Sequence, residues 1–285
     1  MIMMGDDSRQ GVRRVFGLAG VLALASAAQA TEPNAQRVNH FVGAAGESIG
    51  IQVPPFHGIE PRLGLSYSSE ARNGFAGMGW NLGGFSMIER GVGDWGFVEN
   101  SFKLDGQVLM TCPAGSPYPS CAAGGTHYTN QESYLKIKNT PDVLWEVWGK
   151  DGTRTEFTPV YTPPGYTTPF RFGQSKVVDT HGNTVTYTWD VNVGGINGNT
   201  YPKKAQYEGT TGNGYKVELF RETRPDPLTG NGFTDISKQT ERLKSIVVSL
   251  VSGVRIRAYK LGYTASVATG KSLLTSVQTS VSHAC

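Results

Sequence analysis

The stretch from Leu63 to Arg90 reads LGLSYSSEARNGFAGMGWNLGGFSMIER. It opens with alternating apolar and polar residues, which is typical of a β-strand with one buried face. Glycines at Gly77 and Gly79 then allow a tight turn, and Trp80 follows with a large ring to bury. Burial of such an aromatic side chain stabilises a fold by about 2–3 kcal/mol. The stretch therefore predicts a strand that leads into a tight turn anchored by an aromatic residue.

Short runs of the same alternating kind recur to the end of the chain, separated by Gly, Asn, Asp and Pro. The 37 glycines and 15 prolines, together with the lack of an amphipathic helical pattern, are typical of sheets linked by turns. We therefore expect an all-β fold of antiparallel strands and hairpins. The clearest strand patterns are RLGLSYS (62–68), WEVW (145–148), TVTYTW (184–189), KVELF (216–220), SIVVSLV (245–251) and VRIRAYKLGY (254–263).

The turns between these runs are well marked. Tight hairpin turns are predicted at 150–152 and 181–183, where Gly or Asn can adopt a positive φ. In the last run Lys260 breaks strict alternation, which predicts a bulge near Tyr259. Longer loops are predicted at 112–125, 161–169, 193–199 and 224–232.

The first thirty residues are typical of a cleaved export signal. Arginines precede an uncharged segment, Val15 to Ala28, which is long enough for a signal-peptide core and too short to span a bilayer as a helix. The small residues Ala28 and Ala30 predict cleavage before Thr31. We thus expect a signal peptide at 1–30 and a β-domain at 31–285. A buried helix of the domain is the alternative interpretation of the first segment.

The remainder has no stretch approaching the roughly 18 apolar residues of a membrane helix. We expect a mature chain without a membrane span that is periplasmic, at the cell surface or extracellular. The net charge is +3 with acids and bases interspersed, and no basic run has interleaved aromatic residues. Nucleic acid is therefore not a favoured partner.

Three cysteines fit an oxidising compartment. Cys112 and Cys121 flank a loop rich in Pro, Gly and Ser, and a disulfide between them would fix the base of that loop. Zinc is less favoured, since His127 is the only histidine nearby and the ligand spacing is wrong. Cys285 is unpaired and is the last residue, which predicts a C-terminal truncation.

Two fragments suggest catalysis at first sight. The sequence TGKS at 269–272 matches the end of a phosphate-binding loop, but the required first glycine falls at Ala265. Asp179 and His181 could be a base with its orienting partner, or metal ligands. Both lie at a predicted hairpin tip, where we favour turn chemistry.

Oxygen ligands in one loop make calcium conceivable, although the spacing matches no EF-hand. The histidines form no metalloprotease pair, and the chain has no G-x-S-x-G nucleophile elbow. We therefore predict no catalytic residue, no cofactor and no metal site, and expect that the chain is not an enzyme. The loop oxygens belong to Asp226, Asn231 and Asp235.

The opening stretch resembles the N-terminal domain of the Salmonella virulence plasmid B proteins and of insecticidal toxin-complex B components. Rhs/YD-repeat proteins have a related opening. The resemblance rests on the SYSS strand at 66–69, on the G-x-G-W-x-L pattern of 77–82, and on Ile88 followed by Arg90.

Later segments continue the resemblance in the same order, so that it spans roughly residues 31 to 277. They include FKLDGQ (102–107) with Asp105 and Gly106, WEVWGKDG (145–152) with Asp151 and Gly152, and VVDTHGNTVTYTWD (177–190) with Asp179, Gly182, Asn183 and Tyr187. The last of these is also close to a single YD repeat. Shorter matches are RLKSI (242–246), YKLGY (259–263) and SLL (272–274).

The resemblance implies a non-catalytic segment of a β-walled cocoon that encloses a toxin domain. Its partners would be a downstream Rhs/YD-repeat shell, a C-terminal toxin domain of a longer chain and other toxin-complex subunits. The alternative is a stand-alone secreted β-domain that binds a glycan or a cell-surface partner. Aromatic residues in a Pro-rich loop would serve that role, although we favour packing beneath the loop: Tyr161, Tyr166, Phe170 and Phe172.

Overall fold

A computed structural model describes residues 12–13, 37–39, 44–93, 96–195, 198–208, 214–231 and 236–281. The predicted signal peptide and its cleavage site lie outside these ranges, apart from Val12 and Arg13. In the described residues the helical structure consists of α1 (Pro119–Ala122) and a 3-10 turn at Val193–Gly195. Neither is long and apolar enough to cross a membrane.

Strands make up most of the described chain. They are β1 (Val12–Arg13), β2 (Arg37–Asn39), β3 (Ala44–Gly50), β4 (Gly64–Ser68), β5 (Asn73–Gly74), β6 (Gly77–Met78), β7 (Trp80–Gly83), β8 (Met87–Gly93), β9 (Gly96–Leu104), β10 (Gln107–Thr111), β11 (His127–Thr129), β12 (Lys136–Thr140), β13 (Leu144–Trp148), β14 (Arg154–Tyr161), β15 (Arg171–Val178), β16 (Thr184–Asp190), β17 (Tyr201–Tyr207), β18 (Tyr215–Asn231), β19 (Ile236–Leu250), β20 (Arg255–Ala265) and β21 (Ser272–Val281). Their pairings are antiparallel, so the predicted all-β fold is confirmed.

The main sheet is a meander in which β8 to β21 lie beside one another in chain order, with β1 added beyond β21. In addition β15 pairs with β8, where Phe172 lies opposite Ile88. This pairing closes β8 to β15 into a ring of eight strands. Strands β16 to β21 extend from the ring as a continuous wall.

The ring has its own apolar core, because alternate residues of its strands point inward. Trp145 and Val147 of β13 are buried, as is Ile137 of the neighbouring strand β12. Phe102 packs edge-on against Trp145, with 4.7 Å between the ring centroids. The other buried members are Ile88, Leu109, Phe157 and Phe172.

A smaller sheet, in the order β2-β3-β4-β7, packs over one face of the extended wall and forms a second core with it. Two long-range hydrogen bonds fix the chain around this sheet. The hydroxyl of Tyr207 donates to the carbonyl of Pro54 at 2.9 Å. The amide of Gln52 donates to the hydroxyl of Tyr259 at 2.8 Å.

Two local predictions were wrong. Residues 224–232 were expected to form a loop, but β18 runs to Asn231 with a break in register between Thr223 and Leu228. Pro225 and Pro227 lack amide hydrogens, so these positions cannot donate to the ladder and the chain bulges out of it. The bulge expected near Tyr259 lies at Ile256, where the pairing of β20 with β19 shifts, and the pairing with β21 shifts between Gly262 and Tyr263.

Candidate functional site: the interface between the two sheets

The hairpin β5–β6 is the part of the small-sheet region that touches β21. Gly77 has φ +100°, and a Cβ at this position would lie 2.8 Å from the carbonyl oxygen of Ser272. Gly79 has φ +76°, and its Cβ would lie 2.5 Å from the ring of Tyr67. Both glycines are therefore required for two reasons: the turn needs a positive φ, and another segment of the same chain approaches too closely to leave room for a Cβ.

Trp80 follows these glycines and is almost fully buried. Its ring centroid lies 5.4 Å from that of Tyr67, which faces it from β4. The glycine turn thus places the hairpin against the wall while the tryptophan anchors the small sheet.

Beneath the hairpin lies a buried ion pair between Arg224 and Asp226. We call this pair and its hydrogen-bond partners Asn73 and Ser272 the latch. The side chain of Arg224 is fully buried. Its Nη2 donates to Asn73 Oδ1 at 2.7 Å, and its Nη1 donates to the carbonyl of Gly74 at 3.1 Å. Its Nε donates to Asp226 Oδ1 at 3.1 Å. The guanidinium is therefore paired both to its own bulge and to the hairpin.

The carboxylate of Asp226 completes the latch. It accepts hydrogen bonds from Asn73 Nδ2 at 2.7 Å and from the amide of Ser272 at 2.8 Å, and it is also bonded to the Ser272 hydroxyl. Burial alone would raise the pKa of Asp226, but the hydrogen bonds from Arg224, Ser272 and Asn73 outweigh burial and hold the pKa well below its usual range.

This arrangement corrects the idea of Asp226 as a calcium ligand, because donors from the protein already occupy both of its oxygens. The Asn231 side chain and Asp235 lie outside the described residues. Among the residues that the structure describes, no group of three His, Cys, Asp or Glu side chains could hold a metal ion.

Three of the motif segments form hairpin turns. Asp105 and Gly106 have φ +47° and +85°. The Asp105 carboxylate accepts a hydrogen bond from the amide of Met87 at 2.8 Å and one from the Ser86 hydroxyl at 2.5 Å. The turn between β9 and β10 is therefore bonded to the start of β8.

The other two turns touch each other. A Cβ on Gly152, in the turn after β13, would lie 2.6 Å from Cγ2 of Thr180 in the turn after β15. Asp151 Oδ1 accepts a hydrogen bond from the amide of Thr153 at 2.9 Å. The glycine at position 152 is thus needed for the contact between neighbouring turns.

Asp179 closes its own turn. It accepts hydrogen bonds from Asn183 Nδ2 at 2.6 Å and from the amides of Asn183 and His181 at 2.8 Å each, ahead of Gly182 with φ +87°. The Asn183 side chain is the main cause of the lowered pKa of Asp179. The side chain of His181 is 84% exposed. The Asp179 carboxylate is engaged in the turn, and the His181 ring nitrogen Nδ1 lies 3.9 Å from its Oδ2.

Two further motif residues are packed inside. The Arg90 guanidinium lies 4.6 Å from the centroid of Phe102, and its Nη2 donates to Asp142 at 2.8 Å. Tyr187 packs against Phe85 of the inter-sheet core, and burial raises its pKa to about 12. Arg90 therefore supports the ring, whereas Tyr187 supports the interface.

The loop between β10 and β11 carries a disulfide between Cys112 and Cys121, whose Cα atoms are 5.6 Å apart. Helix α1 lies in this loop and contains Cys121. Cys285 lies outside the described residues. The disulfide joins the two ends of a loop of the ring.

The Pro-rich loop does not display its aromatic residues as a binding site. Tyr161 and Phe172 are buried, and the rings of Phe170 and Tyr161 contact each other at 6.2 Å. Tyr166 is 37% exposed. Packing accounts for most of the cluster, so the structure does not support this loop as a glycan site.

The latch is the part of the site that sequence reasoning missed. The local sequence of Arg224 to Pro227 (RPDP) carries one signal, namely two prolines that cannot extend a ladder. Nothing in it identifies Asn73 or Ser272 as partners.

The opening stretch is similar to a known protein family. Residues 39–94 match the family model of the Salmonella virulence plasmid 65kDa B protein. This range contains the SYSS strand, the glycine turn and Arg90, so the resemblance seen in the sequence is confirmed there. A search of curated protein sequences found no match.

Solved structures share the fold over most of the chain. TcdB2-TccC3 matches 90% of this chain with a TM-score of 0.67 at 14% identity. The Photorhabdus luminescens Tc holotoxin pore matches 88% with a TM-score of 0.65 at 16% identity. The N-terminal domain of effector protein SpvB from Salmonella typhimurium strain LT2 matches 82% with a TM-score of 0.63 at 16% identity.

The lengths of these proteins differ greatly. The chain covers 17% of the TcdB2-TccC3 chain and 15% of the holotoxin chain, but 99% of the SpvB domain. It thus has the fold of one part of a toxin-complex component and of a complete SpvB N-terminal domain.

Proposed function

We propose that this chain is a non-catalytic structural segment of an exported toxin-complex-like protein, where it forms part of a β-walled shell around a toxin domain. The observation that carries the proposal is the continuous wall β16 to β21, which extends in chain order from a closed ring. Strand β18 alone has 17 residues, enough to span roughly 50 Å. A continuous sheet of this length is suited to form one side of a shell around another domain.

The use of charged residues supports a structural role. The motif carboxylates of Asp105, Asp151 and Asp179 each accept backbone hydrogen bonds in a turn. The buried charges of Arg224 and Asp226 neutralise each other. These groups hold elements together, and their hydrogen-bonding capacity is used within the protein.

Export is supported by the signal-like first thirty residues and by the disulfide between Cys112 and Cys121, which forms in oxidising compartments. The partners we propose are a downstream Rhs/YD-repeat shell, a C-terminal toxin domain and other toxin-complex subunits. The similarity to TcdB2-TccC3 and to a Tc holotoxin supports these partners.

Protease protection tests the shell. The natural polypeptide is purified from the culture medium and treated with trypsin, with its separately expressed toxin domain as the control. We expect the toxin domain to survive in the intact protein under conditions that digest it alone. Equal rates of cleavage in both samples would refute enclosure.

A further inference from the structure

The outer face of the ring carries a cluster of lysines and aromatic side chains, which we call the cationic–aromatic patch: Tyr134, Lys136, Lys138, Trp148 and Lys150. Because Ile137 and Trp145 point into the ring core, their neighbours on β12 and β13 point outward. Register places Lys136 directly opposite Trp148. Pairing of the two strands therefore builds the patch from residues that are not consecutive.

The lysines lie over the rings. Lys136 Nζ is 4.7 Å and Lys138 Nζ is 5.8 Å from the Trp148 ring centroid. Lys150 Nζ is 4.3 Å from the centroid of Tyr134. Significant cation–π pairs occur about once per 70–80 residues in proteins, whereas three lie here within one strand pair and its flanks.

The three lysines of the patch form no direct ion pair among the described residues, although Glu146 lies opposite Lys138 in the strand register. The nearby carboxylates of Glu146 and Glu156 both pair with Arg154, at 3.2 and 2.7 Å. Within the described ranges, no carboxylate oxygen lies within 4.0 Å of the ammonium groups of Lys136, Lys138 or Lys150. The three ammonium groups are thus not in direct contact with a carboxylate and can pair with the anionic groups of an external ligand.

Tyr134 is held outward by a constrained backbone. Its φ is +59°, which is unusual for a residue other than glycine, and 55% of its surface is exposed. Its amide donates to Glu132 Oε1 at 2.6 Å, and the same oxygen accepts a hydrogen bond from the hydroxyl of Ser120 in α1. The disulfide loop therefore helps to fix an exposed ring that contributes nothing to the core.

We propose that the cationic–aromatic patch binds an acidic polysaccharide. The lysines would pair with its carboxylate or sulfate groups, and the exposed tyrosine ring would lie against the apolar face of a sugar. The disulfide on the same ring wall places this surface in an oxidising compartment, where acidic polysaccharides are common anionic polymers and nucleic acids are not. This activity is independent of the shell and would reside on its exterior.

The test measures binding of the full chain to heparin as the sulfated polysaccharide, with neutral dextran and a single-stranded oligonucleotide as comparison ligands. The patch variant is K136Q/K138Q/K150Q. Its matched control is K103Q/K244Q/K260Q, which removes three exposed lysines elsewhere. A second variant, Tyr134→Ser, keeps all the charges and removes one ring.

We expect heparin affinity to fall at least about tenfold in the patch variant and to change less than about twofold in the control. Tyr134→Ser should weaken binding about threefold or more at high salt, where charge pairing is screened. Near-UV circular dichroism equal to that of the parent chain verifies that each variant is folded.

Three results would overturn the proposal. The first is an absence of heparin binding by the parent chain, and the second is an equal loss of affinity in the control variant. The third is tighter binding of the oligonucleotide than of heparin at the same patch, which would identify a nucleic-acid surface instead.

Discussion

The carboxylate of Asp226 accepts a hydrogen bond from the backbone amide of Ser272, 46 residues further along the chain, at 2.8 Å. Through this bond the bulge of β18 is joined to the start of β21. The same carboxylate binds Asn73 of the hairpin β5–β6 and Arg224 of its own strand. One buried side chain thus connects the small-sheet region to two strands of the wall.

Asp226→Asn should be strongly destabilising, because it leaves the fully buried Arg224 cation without its carboxylate. Breaking a buried pair from one side costs about 3–5 kcal/mol. The free energy of unfolding in urea measures this loss. The matched control is Glu89→Gln, which removes a partly exposed partner of Arg171 and should cost about 1 kcal/mol or less. Equal effects of the two substitutions would contradict the latch.

Gly77→Ala should destabilise the interface by more than the strain of a positive φ alone, which is about 1–3 kcal/mol. The added Cβ would also meet the carbonyl oxygen of Ser272 at 2.8 Å. Gly58→Ala is the control, since Gly58 has φ +81° with open space around it. Thermal unfolding should separate the two variants, and the same melting temperature for both would show that the close approach is unimportant.

Acid should weaken the ring through His127, which is buried between Phe102 and Trp145. Burial lowers the pKa of His127 below the usual histidine value of about 6.5, so the folded chain disfavours its protonation. A depressed folded pKa means that stability is complete above 6.5 and is lost as the pH falls from there toward the folded pKa.

The measurement is the free energy of unfolding between about pH 7 and 5 for the parent chain and for His127→Gln. The dependence on pH should be smaller in the variant. His181→Gln is the control for the same replacement at an exposed position, because the His181 side chain is 84% exposed. If His127→Gln left the pH dependence of the free energy of unfolding unchanged, His127 would not be its source.

Removal of the disulfide should destabilise the ring. Closing a loop of this length constrains the unfolded chain by about 2–3 kcal/mol in the chain-entropy description. Cys112→Ser should therefore lower the melting temperature, and reductant should lower that of the parent to a similar value. Cys285→Ser should leave it unchanged. A parent chain that is insensitive to reductant would argue against a stabilising bridge.

The sequence could predict the turns because their interactions are local. The Asp179 carboxylate accepts hydrogen bonds from the amides of His181 and Asn183, all within five residues, so the local sequence is enough to predict the turn. The alternating runs likewise predicted strands, since the period of two is a property of each strand alone.

The latch and the ring closure could not be predicted, because both depend on which distant segments meet. The pairing of Phe172 with Ile88 joins two strands that are separated by six others. The cationic–aromatic patch was missed for the same reason. No basic run with interleaved aromatic residues exists in the sequence, but strand register brings Trp148 beside Lys136.

The size of the native polypeptide shows whether this chain is one wall segment of a larger exported shell. Culture medium and cell fractions from the source cells are compared by immunoblot with an antibody raised against residues 44–281. We expect an exported product far larger than the 30.7 kDa of this chain. A product of about that mass would contradict the proposed shell, because these strands alone would then have to enclose the toxin domain. A stand-alone binding domain would be the better explanation.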